Sequence, residues 1–308
     1  MNVLFHIFIF IIIVFLYIHI TQQYKKGEDL EIYEMDYSTN KQLQEVCDLK
    51  QPILFQYSSL FPEFIEDVTI DSLISHGSYD VKVKDITDFW KDNENVDSVI
   101  LPMKSSHNLM VTDTNSRFFT ENNDDFIQES GFSKKFQEND SFLKPSDSII
   151  NTKYDIISGS NNAVTPLRYH TNYRQFLLVN QCKITIKMTP YKSHKYLHVY
   201  NDYDNFEFRS PINVWNPQSQ YQMNMEKLKF LEFQVNPGYI IYIPPYWWYS
   251  IKFSGNSENL ICGFTYHSIF SSLANIPNYV LYFIQQNNIK KKITKTLEIP
   301  TNTNESML

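Results

Sequence analysis

Two segments hold the residues whose types and spacing bear on chemistry. Val164-Thr165-Pro166-Leu167-Arg168-Tyr169-His170 sets a hydroxyl, a guanidinium and an imidazole close together. Asn236-Pro237-Gly238-Tyr239-Ile240-Ile241-Tyr242-Ile243-Pro244-Pro245-Tyr246-Trp247-Trp248-Tyr249 runs from a Pro-Gly turn through a short apolar strand into two prolines and a block of aromatic rings. His170 has the chemistry of a metal ligand, and Tyr249 has it only as phenolate. Arg168 has none, because a guanidinium carries five donors, no acceptor and a pKa above 12. Its charge would also repel a dication at ~4 Å by roughly 8 kcal/mol at an effective dielectric near 20. Tyr246, Trp247 and Trp248 form an aromatic cluster that reads first as core packing at a strand end, with a ligand clamp at a pocket as the competing role. His194 and His198 stand four apart, the spacing of one helix face, but Pro190 and the intervening Tyr and Val favour a loop or strand. No HExxH, GxSxG, CxxC or glycine-rich phosphate loop is present.

Taken together, the two segments resemble the cupin-like branch of the Jumonji-C superfamily, which includes the asparaginyl hydroxylases. The family pattern is Val-Thr-Pro-x-His-x-Asp, an apolar strand, a basic residue and a further strand, then a remote Pro-Gly-strand-Pro-x-Trp-Trp-His. The resemblance spans roughly residues 120–266, and Gln51-Pro52-Ile53-Leu54-Phe55 is similar to the family's entering strand. It implies a mainly β fold, a double-stranded β-helix (cupin or jelly-roll) with flanking helices. In the family two histidines and a carboxylate hold Fe(II), leaving positions for 2-oxoglutarate and oxygen. Carried over, the triad falls on Arg168, His170 and Tyr249, and every member is changed. Thr165 and Lys183 fall where the family grips the distal carboxylate of 2-oxoglutarate, and Arg168 offers a further anion-binding group. The family's asparagine near the last strand has become Gly263 or Phe264. The implied protein therefore has a degenerate iron site and no expected cofactor. Fe(II) and 2-oxoglutarate belong only to the alternative, a hydroxylase with atypical ligands.

The 308 residues suit one large domain or two small ones; 43% are hydrophobic and 16% aromatic, a composition that favours packed strands. A net charge of −7 gives no whole-chain footprint for nucleic acid. Cys47, Cys182 and Cys262 are odd in number and widely spaced, which fits a reducing compartment. Val3 to Ile20 is uncharged and apolar, a helix of roughly 27 Å that matches a bilayer. It lacks the basic start and small-residue cleavage site of a secretory signal. Lys25 and Lys26 follow it, which predicts a single-pass anchor with the following domain in the cytoplasm.

These signals divide the chain into an anchor (1–22), a polar linker (23–45), a cupin-like domain (46–290) and a polar tail (291–308). Strands are expected at YDIIS, QFLLV, KITIKM, LEFQV, YIIYI, YSIKF and LICGFTYH, and at Ser98–Met103. Short helices and surface loops are expected over 113–147, and a helical pair around Pro277 after Ile269. The acidic-aromatic stretch from His198 to Phe208 reads as a solvated loop or a substrate-proximal insertion. Lys290-Lys291-Lys292 reads as a solvated helix end. The expected function is a non-catalytic binding or interaction module with an unidentified protein partner, the alternatives being the atypical hydroxylase and a purely structural membrane component. The Asn-, Ile-, Lys-, Tyr- and Phe-rich usage suits an AT-rich genome, such as that of a large DNA virus or a protist.

Overall fold

The computed structural model describes residues 2–90, 96–146, 148–203, 206–254 and 258–288. The lysine run and the polar tail lie outside them. Fifteen strands are described: β1 Tyr33–Glu34, β2 Ile53–Gln56, β3 Asp80–Asp85, β4 Val99–Pro102, β5 Phe118–Thr120, β6 Ile149–Gly159, β7 Arg168–Tyr169, β8 Arg174–Gln181, β9 Ile184–Thr189, β10 Tyr200–Asp202, β11 Glu207–Arg209, β12 Leu231–Val235, β13 Tyr239–Tyr242, β14 Trp248–Phe253 and β15 Leu260–Ser268. They form a nine-stranded sheet, β1-β2-β13-β8-β15-β6-β5-β3-β4, and a six-stranded one, β10-β11-β7-β14-β9-β12. All pairings between named strands are antiparallel except β1 with β2. All the strands expected from sequence are present.

The period-2 alternation of each strand decides which layer a side chain joins. On β8, Phe176 and Leu178 pack outward against a helical layer that includes Leu43, Phe64, Phe126 and Phe136. Leu177 and Val179 point inward, where they meet Ile186, Ile251 and Phe253 of the smaller sheet. A third cluster, with Leu167, Tyr169, Phe208 and Trp248, covers the outer face of the smaller sheet.

The inward stripes change character along their length. On β15 the inward residues run Ile261, Gly263, Thr265, His267; on β6 they run Gly159, Ile157, Asp155, Lys153; on β8 they run Val179, Leu177, Gln175. Register brings Gly263 opposite Asp155 and Leu177, and Thr265 opposite Lys153 and Gln175. One end of the inter-sheet space is thus apolar and closed. The other is polar and opens as a cavity of about 810 Å³.

The Pro237-Gly238 turn forms as expected. Gly238 has φ +83°, and a Cβ there would meet Ser58 at 2.8 Å, so glycine is required. Its carbonyl accepts from the Tyr57 and Ser58 amides and so joins the turn to the end of β2.

Asn2–Gln23 is one continuous helix with exposed apolar side chains, long and apolar enough to be a membrane span or a signal sequence. The expected linker is more structured than its polar composition suggests. Tyr33–Glu34 adds a strand beside Ile53–Leu54, and Asn40–Cys47 is a helix capped by Thr39 with Leu43 and Cys47 buried. Gly27 packs so closely on the Lys50 carbonyl that a Cβ would sit 2.0 Å from its oxygen. The reason is local: a few apolar residues and a good N-cap are enough to dock a polar segment.

Candidate functional site

Arg168, His170 and Tyr249 line the same cavity. The two-residue β7 puts Arg168 directly beside Tyr249 of β14, and the Tyr246 amide donates to the His170 carbonyl at 2.8 Å. The turn after the paired prolines is thereby tied to the Thr-Pro segment, and residues far apart in sequence meet.

Arg168 is 8% exposed and its charge is met inside the cavity. Nη1 donates to Glu121 Oε1 at 2.6 Å while Nη2 pairs with Glu121 Oε2, a bidentate fork. Nη1 also reaches Glu207 Oε1 at 3.3 Å. Lys84 Nζ donates to the same two carboxylates, at 2.9 Å to Glu121 and 3.0 Å to Glu207. Two cations and two anions therefore balance. Burial pushes the Glu121 and Glu207 carboxyls up, but Arg168 and Lys84 outweigh it and hold both below the usual carboxylate range. Burial likewise pulls the Lys84 ammonium down, and the two glutamates overcome it.

The other two triad positions are also committed. His170 Nε2 lies 3.0 Å from the Ile243 carbonyl, and the Asn172 amide donates to Nδ1 at 3.1 Å. Those partners fix a neutral imidazole protonated at Nε2, with both nitrogens engaged. Burial lowers its pKa to about 3. The Tyr249 hydroxyl accepts from Gln175 Nε2 at 3.1 Å, and burial raises its pKa, so the phenol keeps its proton. A protonated phenol, a doubly bonded imidazole and a paired guanidinium do not fit an iron site. Among the described residues, no three His, Cys, Asp or Glu side chains gather where they could hold a metal.

Several expected site residues lie elsewhere. Thr165 is fully buried: its Oγ1 accepts from the Ile251 amide and its carbonyl from Ser250 Oγ, so it joins strands and does not line the cavity. Lys183 is exposed in the turn between β8 and β9, outside the cavity lining. The aromatics Tyr246, Trp247 and Trp248 pack as core rings and do not line the cavity: Trp247 joins the inter-sheet cluster, while Trp248 and Tyr246 join the cluster on the outer face of the smaller sheet. Trp247 is buried with Nε1 on the Lys50 carbonyl at 3.0 Å; Trp248 packs edge-on to Tyr169 at 4.8 Å. Tyr246, at φ +67°, lies against Tyr191 and Tyr169. His194 sits in a 3₁₀ turn stacked on Tyr191, while His198 meets Tyr221 and Asn224, so neither enters a metal cluster.

The polar wall of the cavity was missed in sequence. Asp155 accepts from the Asn122 and Asn123 amides at 2.9 and 2.7 Å, and burial raises its pKa to about 7 against those donors. His267, opposite Asn151, is pushed down to about 4 by burial. Gly263 lies beside Asp155, and a Cβ built there would sit only 3.2 Å from the Asp155 Cβ. With Gln175, Lys153 and Thr265, these groups offer both donors and acceptors to a small polar ligand. The acidic-aromatic stretch forms the β10–β11 hairpin and delivers Phe206 and Glu207 to the rim. No protein-family model and no curated protein matches the chain.

Proposed function

We propose that this chain is a membrane-anchored, cupin-like protein whose cavity binds and does not oxygenate. The observation that carries the reading is the bidentate Arg168–Glu121 pair, closed by Lys84 and Glu207, at the position where the resembling family holds iron. Two facing antiparallel sheets with a polar cavity at one end are what a double-stranded β-helix would provide. A charge-balanced cluster also disfavours an anion site at Arg168, since both terminal nitrogens of its guanidinium already donate to carboxylates. The open volume beyond the cluster favours a binding module over a scaffold with a filled centre.

Anaerobic titration of the purified full chain with Fe(II), with and without 2-oxoglutarate, tests this directly. No stoichiometric binding is expected up to millimolar metal. A one-to-one isotherm that 2-oxoglutarate tightens would establish the hydroxylase alternative instead.

A further inference from the structure

The helix Ile276–Asn288 contains no charged residue. Pro277 lies in its first turn, a position where its missing amide costs nothing. Ile276, Val280, Leu281, Phe283 and Ile284 are all exposed, Phe283 at 67%. Tyr279 and Tyr282 are exposed on the same element, an amphipathic residue type that favours the level of lipid headgroups. At thirteen residues the helix is about 20 Å long, too short to cross a bilayer of ~30 Å.

Its neighbour indicates what covers it. The short helix Ile269–Ala274 packs along the end of the N-terminal apolar helix: Phe270 lies 5.8 Å from Phe15 and 4.6 Å from His19, ring to ring. Tyr24 Oη donates to the Ala274 carbonyl at 2.6 Å. Phe15 and His19 stand about 12 and 6 Å along the helix from Gln23. If the N-terminal helix spans a bilayer, Phe270 lies within its apolar layer, and the exposed face that follows is carried to the same depth.

We propose that Ile276–Ile284 is a second membrane contact, a helix seated along the bilayer surface beside the N-terminal anchor. The occupant of this face is lipid: the face continues a membrane span, lacks charge and carries its own tyrosines. Ser272, Asn275 and Tyr279 of the same pair of helices line the cavity, and Tyr279 stacks on Phe206 at 5.1 Å. The cavity rim then lies at headgroup level. The proposal rests on anchoring by the N-terminal helix, and its test separates the two.

The full chain, carrying Cys182→Ser, is reconstituted in phospholipid nanodiscs; Cys47 and Cys262 are fully buried and stay unlabelled. Single nitroxides are placed through Ile12→Cys, Leu281→Cys, Phe283→Cys and, as an aqueous reference, Glu129→Cys. Collision with oxygen is expected to exceed collision with an aqueous nickel complex several-fold at Ile12, Leu281 and Phe283, with the order reversed at Glu129. Lipid-like accessibility at Ile12 with nickel-dominated collisions at Leu281 and Phe283 would overturn the second contact and leave the anchor standing. Screening from both reagents at those two positions would also overturn it, in favour of a protein partner or a second copy. Nickel-dominated collisions at Ile12 would overturn both readings.

Discussion

A guanidinium buried at Arg168 requires compensation in place, and Glu121 supplies it through both oxygens. Such a pair contributes little net stability relative to an apolar filling, but removing one partner is costly. Titration of the surrounding groups follows from their burial. His170 and His267 have depressed pKa values and stay neutral in the fold. Below about 6.5 the unfolded chain takes up protons that the folded one refuses, so stability falls as pH drops. Glu121 and Glu207, also depressed, lose their contribution as pH falls from ~4.3 through their folded values. Asp155 has the opposite sign: raised to about 7, it stabilises below ~3.9 and loses that contribution as pH rises toward 7. Two histidines outweigh one aspartate, so stability should rise with pH between 4 and 6.5 with a net slope of about one proton, and fall more steeply below pH 4 as Glu121 and Glu207 join. Asp155→Asn removes the opposing group, so the urea midpoint should rise more between pH 4.5 and 6.5 than in the unmodified chain. An unchanged slope would show that Asp155 does not titrate there. Arg168, His170 and Tyr249 were legible as one site because their flanking turns and strands form a recognisable pattern. Glu121 was not, since it opens the run Asn122-Asn123-Asp124-Asp125, which has the look of surface. Lys84 and Glu207 were hidden because a charged residue on a short strand normally faces water.

Element by element, apolar runs and the Pro-Gly turn were enough to place β2, β4, β6, β8, β9 and β12 to β15, but not the charged six-residue β3. The short ones, β7, β10 and β11, were not visible, because two or three residues carry no period. Those short strands position Arg168 and Glu207, so the sequence concealed the geometry that defines the site. Thr165 and Lys183 were misplaced for a related reason: spacing from a motif does not say whether a hydroxyl is consumed by a neighbouring amide or a lysine ends in a hairpin turn. The closed end of the sandwich depends on Gly159, where a Cβ would meet the Phe253 ring at 2.5 Å across the two sheets. Gly159→Ala should cost about 1–3 kcal/mol through overpacking, measured as a shift in the urea midpoint at unchanged slope. A neutral effect would mean that the sheets are not in contact there.

At the scale of the whole molecule, the apolar helix, the segment behind it and the domain are fastened together by specific contacts. Lys26 lies 3.4 Å from the centre of the Tyr191 ring, Lys192 donates to the Glu28 carbonyl, and Arg174 joins the sheet to the Asn40–Cys47 helix through Asp48 at 2.5 Å. Polarity in the sequence announced a linker, but the docking contacts that fold it back are single residues with no pattern to read. Between the sheets, the cavity opens around the charge-balanced cluster of Arg168, Lys84, Glu121 and Glu207. The most direct test of that cluster is a double-mutant cycle on Arg168 and Glu121, using Arg168→Met, Glu121→Gln and the pair, followed by denaturant unfolding of the detergent-solubilised full chain. Each single change should cost about 3–5 kcal/mol, and the double change less than their sum by about 2–3 kcal/mol. Additive losses, with a coupling below about 0.5 kcal/mol, would contradict the claim that this ion pair holds the position.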